Sequence, residues 1–157
     1  MKIHLIAVGS KMPAWVETGA REYQKRLPKT FELVLTEVPL AKRTKGGQDA
    51  ARLCEKEGKA LLAAVPAGAY LVALDVKGKA HATETMAERF RTIMESGSDL
   101  AMLVGGPDGL SPECLESVKE IWSLSALTMP HTLVRIVVAE QVYRIWSVLN
   151  RHPYHRE

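Results

Sequence analysis

Three stretches of this 157-residue chain combine residue types that can bind or transform a ligand. The first is Gly105-Gly106-Pro107-Asp108-Gly109, directly after the apolar run 100–104. Glycines there let backbone approach a ligand closely at the carboxyl edge of a sheet, where open α/β folds bind small molecules. Pro-Asp-Gly is also an ordinary turn sequence. The spacing matches neither G-x-G-x-x-G nor the Walker pattern, and no Lys-Ser/Thr follows, which disfavours an ordinary dinucleotide or nucleoside-triphosphate site. The second stretch is Ser125, Ala126, Leu127, Thr128, Met129 and Pro130. It is mostly apolar yet closes a predicted strand, so its backbone N–H and C=O groups need partners outside a helix ladder. A planar ring with polar edges, such as adenine, would supply them, as would a buried loop that satisfies itself. Leu74, at the end of a neighbouring predicted strand, offers apolar contact to such a ring, and Asp75 an acceptor for a ribose hydroxyl, although a strand-end Asp is ordinarily just solvated.

The third stretch is His131, Arg135, Glu140, Tyr143 and Arg144, continued by the terminal His152-Pro153-Tyr154-His155-Arg156-Glu157. Guanidinium pairs with phosphate, and Tyr and His rings stack on an unpaired base, so this set suits a nucleic-acid surface. Chain ends also commonly fray. The basic loop Lys42-Arg43-Thr44-Lys45-Gly46-Gly47 has no apolar residue to anchor it and reads as a mobile flap able to meet anions. No metal site is expected: Cys54 and Cys114 stand alone, and His152 and His155 have no matching acidic or Cys cluster. The serines at 10, 111, 123 and 125 raise the question of a hydrolase, but no G-x-S-x-G elbow is present.

The elements that must position these residues follow from hydropathy and turn signals. Strands are predicted over 2–9, 31–38, 70–76, 100–104 and 121–124, the fourth fully apolar and hence central. Helices are predicted from Pro13 to the stop at Pro28, over 49–64, from an N-cap at Thr83 to Met94, from a Ser111 cap with Pro112 in the first turn, and over 132–150. This alternation argues a single α/β domain with a parallel sheet of about five strands and helices on both faces. The last helix is apolar over too broad a surface for one core-facing stripe, so one face is expected to pack on the sheet and another on a partner chain, a central buried helix being the alternative. A hydrophobic fraction of 46% supports one real core, and a net charge of +3 permits an anionic partner without demanding one. The apolar runs fall short of the roughly 20 residues that span a bilayer, and the start lacks a leader pattern, so a cytoplasmic location is expected.

Four blocks resemble the RlmH family of SPOUT-class methyltransferases: residues 6–13, 103–111, 122–131 and 152–157. They are long, in family order and spread over the whole chain. Asp108 stands where a Glu is common and Met129 where a Leu is common, and residues 46–69 are too variable to carry any transfer of function. The resemblance implies a SPOUT fold with a deep C-terminal trefoil knot, a rare exception to the rule that chains do not thread loops. It implies a homodimer binding S-adenosyl-L-methionine through Leu74, Gly105, Gly106 and the loop from Ser125 to Pro130. It also implies methylation at N3 of a pseudouridine in 23S rRNA, on assembled 70S ribosomes.

In that reading Tyr154, His155 and Arg156 close over the methyl-donor pocket. Arg156 or Arg144 stabilises the deprotonated base, and His155 is a candidate proton acceptor beside Glu140 or water. His131, Arg135, Lys42, Arg43 and Lys45 are expected to meet RNA, with one subunit holding the donor and the other presenting basic residues. The competing readings are a SPOUT enzyme acting on a ribose 2′-hydroxyl or a tRNA base, and a non-catalytic ribosome-binding module.

Overall fold

A computed structural model describes residues 1–44, 46 and 49–156. Five strands, β1 (Lys2–Val8), β2 (Glu32–Val38), β3 (Tyr70–Ala80), β4 (Leu100–Val104) and β5 (Glu120–Ser123), form one sheet in the order β2-β1-β4-β3-β5. Every pairing is parallel. Helices α1 (Ala14–Gln24), α2 (Ala50–Ala63), α3 (Thr83–Glu95), α4 (Pro112–Ser117) and α5 (His131–Leu149) connect or follow the strands, and a single 3-10 turn, Pro153–Arg156, ends the chain.

Strand alternation sorts the side chains into two cores. Ile3, Leu5, Val72, Leu100 and Met102 face one side, packed with Ala20 of α1, Phe90 of α3 and Val138 and Val142 of α5. Ile6, Val8, Leu71, Ala101 and Leu103 face the other, packed with Leu61 of α2 and Cys114 of α4. A parallel sheet covered on both faces needs apolar residues at both phases of each central strand, which is why β4 is buried throughout.

Three local differences from the sequence expectations have physical causes. β3 does not end at Val76: after Leu74 its register against β5 shifts, and pairing resumes at Lys79↔Trp122 and Ala80↔Ser123. The bulged stretch lacks apolar alternation, so nothing in its pattern announced a strand. Thr83 is not a cap; its hydroxyl donates to Gln141 Oε1 at 3.3 Å, and Ala82 takes the cap position without a side-chain bond. α1 stops at Gln24, before Pro28, and single turns continue to Leu27. Ser111 does cap α4, accepting from Cys114 N–H at 3.2 Å.

Arg135 corrects an expectation of function. Rather than meeting RNA, it is 1% exposed inside the core. Its Nη2 donates to the carbonyl of Gly9 at 2.7 Å, and its Nη1 lies 3.4 Å from Glu37 Oε1, tying α5 to the ends of β1 and β2. Burial pushes its guanidinium pKa down and the Glu37 carboxylate opposes that shift. Replacing Arg135 by Ala removes both contacts and leaves a void, so urea unfolding should show a loss of about 2–4 kcal/mol. Unchanged stability with weakened RNA binding would restore the surface role.

Candidate functional site

The carboxyl ends of β3, β4 and β5 open onto a cleft of about 520 Å³. Its walls are Leu74 to Val76, Val104 to Pro107 with Gly109 and Leu110, and the stretch from Leu124 through Ser125 and Leu127 to His131 and Val134. Sequence segments more than fifty residues apart meet here because a parallel sheet sends the loops after its strands to one edge. The structure therefore brings together nearly all the residues expected to hold a cofactor: Leu74, Gly105, Gly106, Ser125, Leu127, Thr128, Met129 and Pro130. Ala126 lies in the same exposed loop without forming part of the wall.

The glycine turn is set by space. A Cβ at position 105 would stand 2.5 Å from the carbonyl carbon of Gly109, and one at 106 would stand 2.8 Å from Glu57 Oε2 and 3.0 Å from Val8 Cγ1. Gly109 has φ +79°, the left-handed region, and its N–H donates to the carbonyl of Gly106 at 3.0 Å. The turn is thus backbone packed on backbone. The second loop is held at its base: Ser123 donates to the carbonyl of Ser125 at 3.0 Å, and Ser125 Oγ accepts from Leu127 N–H at 3.0 Å. Beyond that Leu127 is 77% exposed, an apolar side chain standing at the rim. Asp75 accepts from the N–H of Lys77 at 2.8 Å. α5 begins at the cleft without a side-chain cap, directing the positive end of its 19-residue dipole there.

These features fit a nucleoside-bearing cofactor: an apolar slot lined by backbone that no side chain fills, with a helix N-terminus beside it. Among the described residues no group of three or more His, Cys, Asp or Glu is placed to hold a metal ion. No described helix is long and apolar enough to cross a membrane.

The residues expected to act on the base lie elsewhere. Tyr154 packs on Tyr143 with ring centroids 4.6 Å apart and donates to Glu140 Oε1 at 3.0 Å. Arg144 contacts the same carboxylate oxygen, Nε at 2.8 Å and Nη2 at 2.6 Å, and its guanidinium carbon lies 4.9 Å from the Tyr154 ring centroid. His155 Nδ1 is buried with no hydrogen-bond partner among the described residues, and Arg156 is exposed. From His131 at the cleft to Glu140, the residue that Tyr154 bonds, α5 advances about 14 Å. Among the described residues the tail does not line the cleft of its own chain, against expectation; it docks on the middle and last turns of α5, against Glu140, Tyr143 and Ser147.

Of the basic loop, Lys42 is exposed, Lys45 lies outside the described residues, and Arg43 is engaged within the protein by Glu57 and Asp108. At Arg43 that engagement departs from the free flap expected from the sequence; Gly47, like Lys45, lies outside the described residues. Glu57 of α2 went unnoticed in the sequence, and Cys54, expected only as a lone thiol, joins it beside the glycine turn. Their only signal was an acid and a glycine inside the stripe Cys54, Glu57, Gly58 and Leu61, the i, i+3, i+4, i+7 spacing of a buried face.

Burial, and then the bond to Glu140, push the Tyr154 hydroxyl up to about 12. At neutral pH it keeps its proton and acts as a donor. An absorbance titration should find Tyr154 ionising well above the ordinary value near 10, with Tyr70, which donates to Glu120, also shifted upward, and Glu140→Gln should lower the Tyr154 step alone. A titration that Glu140→Gln leaves unchanged would show that the tail does not dock this way.

A family model described as "Predicted SPOUT methyltransferase" matches residues 1–155. Among solved structures, a probable methyltransferase from Bordetella pertussis Tohama I is similar, with a TM-score of 0.56 at 17% identity over 91% of this chain and 95% of that one. At that identity the likeness concerns the fold. With the family match spanning nearly its whole length, the chain belongs to the SPOUT methyltransferase family.

Proposed function

We propose that this protein is a cytoplasmic, S-adenosyl-L-methionine-dependent enzyme of the RlmH type that methylates N3 of a pseudouridine in bacterial 23S rRNA, on assembled ribosomes and as a homodimer. The observation that carries this reading is the cleft. Leu74, the Gly105-Gly106 turn and the Ser125 to Pro130 loop, which the resemblance to that family names, converge on one slot at the carboxyl edge of the sheet. The trefoil knot belongs to the same proposal.

S-adenosyl-L-methionine, when bound, supplies a methyl group already activated by its sulfonium. The protein's task is then placement, with the base nitrogen in line, and management of one imide proton. Tyr154 keeps its own proton and donates to Glu140, so it orients rather than accepts. Glu140 Oε1 already accepts from Tyr154 and Arg144, and its Oε2 accepts from Gln141 at 2.7 Å. His155, whose Nδ1 has no partner among the described residues, is the group of this set best able to receive the proton. Arg144 and Arg156 supply positive charge for the deprotonated base.

The distance along α5 makes the dimer part of the chemistry. A cleft and a tail whose seats on α5 are about 14 Å apart in one chain serve one substrate if the tail comes from the second copy. Trp15, 55% exposed on α1, and Leu133, 41% exposed on α5, give an apolar surface for that pairing.

Transfer of labelled methyl from S-adenosyl-L-methionine to 70S ribosomes should label 23S rRNA, and nucleoside analysis should return N3-methylpseudouridine. A labelled ribose or tRNA base would move the enzyme to another SPOUT chemistry, and no label from a folded dimer would favour a binding module. Removing the last four residues should abolish transfer while leaving donor affinity intact. Mixed dimers of this truncation with Gly106→Val, whose side chain collides with Glu57 and Val8, should recover activity. Silent mixed dimers would mean that each site is self-contained.

A further inference from the structure

The glycine turn that floors the cleft is gripped from behind by α2. Glu57 is 2% exposed, and its Oε1 accepts from the N–H of Ala41 at 3.1 Å and from Arg43 Nη1 at 3.0 Å. The other arm of the same guanidinium, Nη2, reaches Asp108 Oδ2 at 2.6 Å. Asp108 sits inside the turn between Gly106 and Gly109. One turn earlier on α2 the Cys54 thiol donates to the carbonyl of Gly109 at 3.4 Å. At Gly58 the helix passes so close to α4 that a Cβ would meet Ser111. Glu57 Oε2, buried and without a hydrogen-bond partner among the described residues, lies against Gly106 itself.

We infer that Glu57 and Arg43 are positioning residues for the methyl-donor floor, Glu57 anchoring Arg43 so that Arg43 fixes Asp108 and, through it, the backbone at Gly105 and Gly106. The inference rests on the reading that the cleft takes the methyl donor. A guanidinium is the one side chain that can serve both acceptors: its planar fork presents separate N–H groups to two carboxylates, and lysine presents a single ammonium on a flexible stem. The carboxylates of Asp108 and then Glu57 also hold its charge, raising its pKa from the ordinary arginine value. Charge-assisted bonds of this kind fix geometry, and backbone closely applied to a ligand depends on geometry. The first half of the basic loop is thereby part of the cofactor site, even though its sequence resembles an RNA-binding flap.

The test is calorimetric titration of the full-length dimer with S-adenosyl-L-methionine, followed by steady-state transfer to 70S ribosomes. Arg43→Lys, Asp108→Asn and Glu57→Gln should each weaken donor binding by roughly three- to thirtyfold. The double variant Arg43→Lys/Asp108→Asn should be no weaker than its weaker parent, because both changes break one link. The variants should raise KM for the donor, with kcat restored at saturation and KM for ribosomes unchanged. Lys56→Ala, exposed on the opposite side of α2, should bind as wild type does. Arg43→Lys and Asp108→Asn lie on exposed segments, so they report even if Glu57→Gln fails to fold. Wild-type donor affinity in folded Arg43→Lys and Asp108→Asn would overturn the inference, as would a defect confined to KM for ribosomes with altered salt dependence, the mark of a phosphate contact. If the wild-type protein itself binds no donor, it is the reading of the cleft that fails.

Discussion

The constraint on which the cleft depends is the tight packing of the glycine turn at the end of β4. Gly105 lies where a single added carbon would collide with the backbone of Gly109 and Leu110, and Gly106 lies where one would collide with Glu57 and Val8. The rest of the architecture can be understood as what holds that turn open to a ligand. β4 is central and buried along its length, so the turn starts from a fixed point. α2 and α4 back it from one face of the sheet, and α5 presents its uncapped N-terminus beside the cleft. A cleft whose floor is made of main chain has little rotamer freedom to lose on binding, which favours preorganised recognition.

α5 joins two chemistries. Its first turn lines the cleft, its second turn carries the buried Arg135 that locks it to β1 and β2, and its middle carries the Glu140, Tyr143 and Arg144 set on which the tail rests. The helix is packed between α1 and α3, which sets the separation between the cleft and the seat of the tail. A set separation suits the proposed site assembled from two copies, in which each copy would present its tail to the other. The aromatic stack of Tyr143, Trp146, His152 and Tyr154 gives the tail an ordered seat in a single chain.

Much of this was legible in the sequence, for definite reasons. Apolar runs and alternation mark strands, so β1, β2, β4 and β5 lie within a residue or two of their expected bounds, and with them the sheet edge where the cofactor-type loops meet. What was not legible depends on contacts distant in sequence. Arg135 looks like any helix-surface cation, and only the arrival of Gly9 and Glu37, from the other end of the chain, makes it a core residue. Arg43 sits in a run that resembles a basic flap, and its partners are 14 and 65 residues away. The bulge in β3 follows from how β5 docks, which local propensity does not encode. The tail carries residue types suited to chemistry, but its seat on α5 from Glu140 onward, about 14 Å along the helix from His131, depends on contacts that its own sequence does not display.

What the cleft holds is measured most directly by a crystal structure of the protein soaked with S-adenosylhomocysteine, the demethylated product. Density for the nucleoside between Leu74, Gly105 and the Ser125 to Pro130 loop is the predicted result, with the tail of the second copy facing the sulfur. Density elsewhere, or an empty cleft at saturating ligand, would contradict it.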